Sequence, residues 1–218
     1  MPSIEDQLAI RDMIENWIIW RDAGDWDRFA TLWHDDGWMV ATWFEAEAPD
    51  FIARSRAAFE NGLQVMHVLG GISIAFSDGE GTRAVSQSRM EILQRAIVHG
   101  HEVDVSCHGR MVDAWEKRDG RWGLVHRQPV YERDRMDPVD PAVKIELDKS
   151  LLAQFPSGYR NLAYLQSQQG MDVSQVMPGT RGPEIESLME RMARWLGGAA
   201  SICLRATPAS VTRTVRAG

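Results

Sequence analysis

Residues 10–40 read IRDMIENWIIWRDAGDWDRFATLWHDDGWMV, and this stretch decides the plan of the chain. Ile10, Ile14, Trp17, Ile18 and Arg21 recur at the three- and four-residue spacing of one helix face, with Arg21 as the polar end of a buried stripe. Gly24 stops that helix, and Asp25 is a natural cap for a second, short one over residues 26–33. Asp22 stands one residue beyond the stripe, where a carboxylate can point along the edge of the apolar face. The plain alternative is a solvated aspartate in a last helical turn, a place where the helix dipole disfavours an anion.

Working outward, Ser3 and Asp6 have the pattern of a capping box, so the first helix spans Ile4 to about Ala23. Residues 37–44 (GWMVATWF) are rich in strand formers. Pro49-Asp50 opens a third helix carrying Phe51, Ile52, Ala58 and Phe59, with Gly62 as its stop. Strands are predicted over 63–76, 82–94, 101–117 and 122–132. Gly70-Gly71 marks a bulge in the first of these, and Asp119-Gly120 a tight hairpin before the last. Three helices packed on a strongly bent, mostly antiparallel sheet make an α+β fold.

From Asp137 the composition changes, which divides the chain into an α+β barrel domain over 1–140 and a helical extension over 141–218. Helices are predicted over 142–154, 159–169 and 184–196, and residues 201–218 form a tail without apolar period. The extension is too small and too polar for an independent domain, so it is expected to pack on the barrel or on a neighbouring subunit.

Composition narrows the function. With 44% apolar and 25% charged residues the chain can bury a real core, and a net charge of −7 argues against a nucleic-acid or anionic-membrane partner. Cys107 and Cys203 lie far apart, so no disulfide framework is expected. No apolar run reaches membrane-spanning length and the N-terminus lacks a signal core, which reads as cytoplasmic. His99-Gly100-His101 and His108 match no closed zinc spacing, so no metal is expected. There is no glycine-rich phosphate loop or G-x-S-x-G elbow either, and no cofactor is expected. Six of nine tryptophans fall between Trp17 and Trp43, a bulky core or a cavity for a flat aromatic ligand; Trp20, Trp38 and Trp43 are the candidates for contact with it.

Several runs carry a family resemblance: Trp20-Arg21-Asp22-Ala23-Gly24-Asp25, Leu32-Trp33-His34-Asp35-Asp36, Met66-His67-Val68, residues 109–116 (GRMVDAWE), residues 119–127 (DGRWGLVHR) and Val130-Tyr131. Together they resemble the SnoaL-like branch of the nuclear transport factor 2-like superfamily over about residues 4–140. The branch includes scytalone dehydratase, polyketide cyclases and the hexachlorocyclohexane dehydrochlorinase. The resemblance implies a cone-shaped barrel and a homo-oligomer, a trimer before a dimer. In the dehydratase and dehydrochlorinase relatives an aspartate late in the first helix pairs with a histidine on a strand, and Asp22 and His67 fall on those positions. Such a pair fixes the imidazole tautomer and leaves the other ring nitrogen free to accept a proton.

Other polar residues leave alternatives open. His126 alternates with Leu124 and could face the cavity; on the preceding strand either Val103, Val105 and Cys107 or Asp104, Ser106 and His108 face it. Arg89 and Glu91 read as a cross-strand ion pair before a substrate anchor, and Tyr131 is a candidate phenolic donor. The expected function is a cofactor-independent lyase that eliminates water, halide or formaldehyde from a hydrophobic, aromatic small molecule, lignin-derived diaryl compounds included. The alternatives are an isomerase or cyclase of the ketosteroid isomerase or polyketide cyclase kind, and a non-catalytic ligand-binding module.

Overall fold

A computed structural model describes residues 3–79 and 81–202. Helix α1 (Ile4–Ala23) begins on the capping box: Ser3 Oγ accepts from the Asp6 N–H and the Asp6 carboxylate accepts from the Ser3 N–H. It ends at Gly24, whose φ of 73° is left-handed and whose place a Cβ would contest with the Phe59 ring at 2.9 Å. Ile10, Ile14, Trp17, Ile18 and Arg21 are its buried residues, as the spacing predicts.

The short helix α2 (Trp26–Ala30) is capped by Asp25 but stops earlier than expected, because Trp33 already belongs to a strand. Strand β1 (Trp33–Ala41) turns at Thr42-Trp43 into β2 (Phe44–Glu47), so the single strand expected over 37–44 is two. Helix α3 (Ala48–Glu60) then leads to β3 (Gln64–Phe76), β4 (Arg83–Val98), β5 (His101–Arg118) and β6 (Arg121–Pro138). The last strands are longer than their apolar patterns suggest. The β4–β5 and β5–β6 turns use paired positive φ values, 50° and 81° at His99-Gly100 and 51° and 79° at Asp119-Gly120. This is the geometry whose twist matches the flanking strands.

The sheet runs β2-β1-β6-β5-β4-β3, antiparallel except for the β1–β6 pair. It is curved and unclosed: the expected cone stays open, with β2 and β3 as edges. Register shifts between Leu69 and Ile72, the bulge at Gly70-Gly71.

The main core lies on the concave side, where Ile10, Ile14, Trp17, Phe29, Phe51, Val103, Val105, Cys107 and Trp115 pack together. Leu162, Ala163, Tyr164 and Leu165 of α5 (Arg160–Gln168) belong to that same cluster, so the extension packs on the barrel. Asp134 of β6 fastens it there, accepting from the backbone N–H groups of Asn161 and Leu162. Helix α6 (Pro183–Leu196) covers the opposite face of the sheet through Ile185, Leu188, Met192 and Trp195.

The helix expected over 142–154 is only α4 (Lys149–Leu152). Val143, Ile145 and Leu147 are half-buried while Lys144 and Glu146 are exposed, an alternation of period two that belongs to extended chain. No helix among the described residues is long and apolar enough to cross a membrane. No group of three or more His, Cys, Asp or Glu that could hold a metal ion occurs among them. Cys203 and most of the expected tail, residues 203–218, lie outside the described residues.

Candidate active site

The last turn of α1 brings Arg21 and Asp22 against the start of β3. Asp22 Oδ2 accepts from the His67 backbone N–H at 2.5 Å, and Asp22 Oδ1 meets His67 Nδ1 at 2.8 Å. One carboxylate therefore holds both the strand and the ring. Arg21 Nη1 donates to the same Oδ1 at 3.3 Å. The His67 side chain is only 7% exposed, and its ring meets Trp17 edge-on at 5.5 Å. Alternation along β3 turns Val65, His67 and Leu69 inward and leaves Met66 and Val68 exposed.

Burial lowers the His67 pKa below the ordinary imidazole value. Desolvation of the cation outweighs the Asp22 carboxylate, which pulls the other way, and the Arg21 and Arg127 charges add to the lowering. The ring is thus held neutral, with Nδ1 on Asp22 and Nε2 as its basic atom.

His67 lines a cavity of about 50 Å³. Its apolar wall includes Trp17, Trp43, Phe51, Met39, Met111 and Met171, and its polar wall Arg21, Thr42, Gln94, Tyr131 and Gln166. The volume is well below the about 150 Å³ of an engineered cavity that admits benzene, so a ring enters only as wall side chains move. Three methionines suit that, being unbranched and readily repacked.

Residues 2–128 match the sequence model of the SnoaL-like domain. The chain belongs to the SnoaL-like family. It is 36% identical over 178 residues to pea pathogenicity protein 2 of Fusarium vanettenii, covering 81% of this chain and 76% of that protein. A PEP2-like protein of the same organism is 36% identical over 203 residues, covering 88% and 86%. Among solved structures, a putative scytalone dehydratase from Novosphingobium aromaticivorans superposes with a TM-score of 0.51 at 20% identity, over 66% of this chain and 97% of that one. A type 2 hexachlorocyclohexane dehydrochlorinase gives a TM-score of 0.52 at 14% identity, over 67% and 96%. At such identities the structural likeness is one of fold.

In this SnoaL-like chain Asp22, His67, Trp43 and Tyr131 come together at or beside the cavity. Four other expected contacts do not. Trp20 and Trp38 pack against the main core and are not part of the cavity lining. His108 lies on the convex face, 3.5 Å from Glu91, because Val103, Val105 and Cys107 take the inward positions of β5. His126 is turned away by a bulge: Ala114 pairs with His126 but Trp115 pairs with Leu124, so Val125 is an extra residue. Leu124 therefore joins the main core while His126 lies buried under α6 near Arg191. Arg89 pairs with Glu132 and Glu91 meets His108, each a contact between strands.

Sequence reasoning missed Arg21, Thr42, Gln94 and Gln166 as lining residues. The available signal was a polar side chain at an inward position: Arg21 and Gln166 on apolar helix stripes, Gln94 two residues from the inward Ile92.

Proposed function

We propose that this SnoaL-like protein is a cofactor-independent lyase in which His67, oriented by Asp22, is the general base. The observation that carries the reading is the double attachment of one carboxylate to His67, through Nδ1 and through the backbone N–H, in the wall of an apolar cavity. A neutral imidazole with a fixed tautomer accepts a proton on Nε2, and Asp22 then balances the imidazolium. In an elimination the substrate C–H bond breaks and its electron pair becomes the new C=C bond. Halide departs with its own bonding pair; a hydroxyl departs with its pair and takes up the proton held on His67 Nε2, leaving as water. In formaldehyde release the proton comes from a hydroxyl, the O–H pair completes the carbonyl of formaldehyde, and the C–C pair stays on the carbon that formaldehyde leaves, which takes the proton back from His67. The substrate is hydrophobic and of single-ring size, admitted as the methionines move; a diaryl compound needs a larger opening.

The polar wall also favours a second reading, an isomerase or cyclase, since carboxamides beside a base can hold an enolate oxygen. Mass spectrometry of products from a panel of halogenated, hydroxylated and hydroxymethyl single-ring compounds separates the two. Loss of water, hydrogen halide or formaldehyde, abolished in His67→Ala, supports the lyase. An unchanged mass with a shifted double bond supports the isomerase. No His67-dependent product from any of them removes both and leaves a binding module.

A further inference from the structure

Thr42, Gln94 and Gln166 are 2%, 3% and 5% exposed, yet all three stand in the wall of the cavity that holds His67. They come from three places: the β1–β2 turn, strand β4 and helix α5 of the C-terminal extension. Buried polar groups are tolerated when hydrogen-bonded, and these are chained to one another. Thr42 Oγ1 donates to Gln166 Oε1 at 2.6 Å, Gln166 Nε2 to Gln94 Oε1 at 3.5 Å, and Gln94 Nε2 to Gln169 Oε1 at 3.1 Å.

The inventory of these bonds matters. A carboxamide nitrogen carries two N–H donors, and the chain uses one from Gln94 and one from Gln166. The link between them, at 3.5 Å, is the longest of the three and the easiest to exchange. Thr42 occupies the Gln166 oxygen, which presents that side chain to a ligand as a donor. Each carboxamide keeps one N–H that the chain does not use, two donors in all, a pattern that fits an oxygen with two lone pairs.

We infer that Gln166 and Gln94 form a subsite for a carbonyl oxygen of the substrate, and that the C-terminal extension thereby supplies a substrate-binding residue. Gln166 lies outside the SnoaL-like match, which ends at residue 128. Its position is built rather than incidental. The start of α5 is fixed by Asp134, and the segment after it by Ser174 N–H donating to the Thr42 carbonyl at 2.7 Å. The inference rests on the reading of this cavity as a substrate site and narrows its ligand to a compact ketone or aldehyde.

The test is a matched pair of rings, cyclohexanone and methylenecyclohexane, which have nearly the same shape and differ in the hydrogen-bonding oxygen. Binding to the full chain is measured by saturation-transfer NMR, with thermal unfolding as a check on folding. The wild type should prefer cyclohexanone by about tenfold, the worth of one net hydrogen bond. Gln166→Leu should erase that preference while still admitting both rings; Gln94→Leu serves the same purpose if the first variant does not fold. A wild type that binds the two rings equally, or binds neither, overturns the inference, as does a folded Gln166→Leu that keeps the preference. Discrimination by a wild type without His67-dependent chemistry would leave the subsite standing and the lyase reading fallen. Chemistry without discrimination would do the reverse.

Discussion

Asp22→Asn is the sharpest single test of how the site is held. The carboxylate accepts from three donors: the His67 N–H at 2.5 Å, His67 Nδ1 at 2.8 Å and Arg21 Nη1 at 3.3 Å. An asparagine keeps the shape but has one oxygen, and its NH2 must face at least one of those donors. A buried donor left unpaired costs about 1–3 kcal/mol. Arg21, 6% exposed, also loses the carboxylate beside it, and breaking a buried ion pair costs about 3–5 kcal/mol when the partner is fully enclosed. Asp22 is 16% exposed and the Arg21 contact is single, so the lower ends apply and the two losses overlap. The net destabilisation expected is about 3 kcal/mol, or a fall in Tm of about 6–12 °C for a chain of this length. The assay is calorimetric unfolding at neutral pH, beside turnover of whichever substrate the panel yields. Turnover should fall by about 10⁴, as when the orienting aspartate of a serine-protease triad is made asparagine. Arg21→Met in the same chain should restore part of the stability, because no guanidinium is then stranded, but none of the turnover. A variant that unfolds within about 2 °C of the wild type would show that this carboxylate holds neither group. Turnover within tenfold of wild type would refute its role in catalysis.

His67→Ala should abolish turnover and still fold, since Asp22 keeps the residue-67 backbone N–H and Arg21; circular dichroism alongside the activity assay checks both. Wild-type activity should rise with pH through a midpoint below the free imidazole value of about 6.5, because burial lowers the His67 pKa and only the neutral ring accepts a proton; a pH–rate profile with its midpoint above that value contradicts the argument. His126 has its pKa lowered to about 4 by burial first and the Arg191 charge second. The unfolded chain then binds more protons than the native one between about 6.5 and 4, so the contribution is intact above that window and is lost as pH falls through it, up to about 3 kcal/mol. His126→Leu should flatten urea unfolding between pH 6.5 and 4, and an unchanged pH slope argues against it. We also propose a homotrimer, with Met66, Val68 and Ile97 on the exposed face of the sheet as the apolar side chains in need of cover; light scattering that reports the 24.6 kDa monomer at micromolar concentration contradicts it.

How much was legible follows from the range of each interaction. The stripe from Ile10 to Arg21 was readable because a helix repeats within a few residues, and Asp119-Gly120 because a tight turn needs those φ values. The contact between Asp22 and His67 spans 45 residues, and no local period encodes it; the likeness to a known family placed it. His126 was misplaced because a single extra residue, Val125, reverses the alternation, and nothing in Leu-Val-His-Arg announces a bulge. The helix predicted over 142–154 gives way to extended chain over 142–148, where Val143, Ile145 and Leu147 alternate with charged neighbours. The polar wall of the cavity was the least visible part, yet it had one consistent mark. On α1 the interruption of the apolar stripe is Arg21, and on α5, where Leu162, Ala163, Tyr164 and Leu165 are fully buried, it is Gln166. A polar side chain at a core position costs several kcal/mol unless something satisfies it. Two helices from opposite ends of the chain bring such a side chain to the same cavity, and each is satisfied there, Arg21 by Asp22 and Gln166 by Thr42.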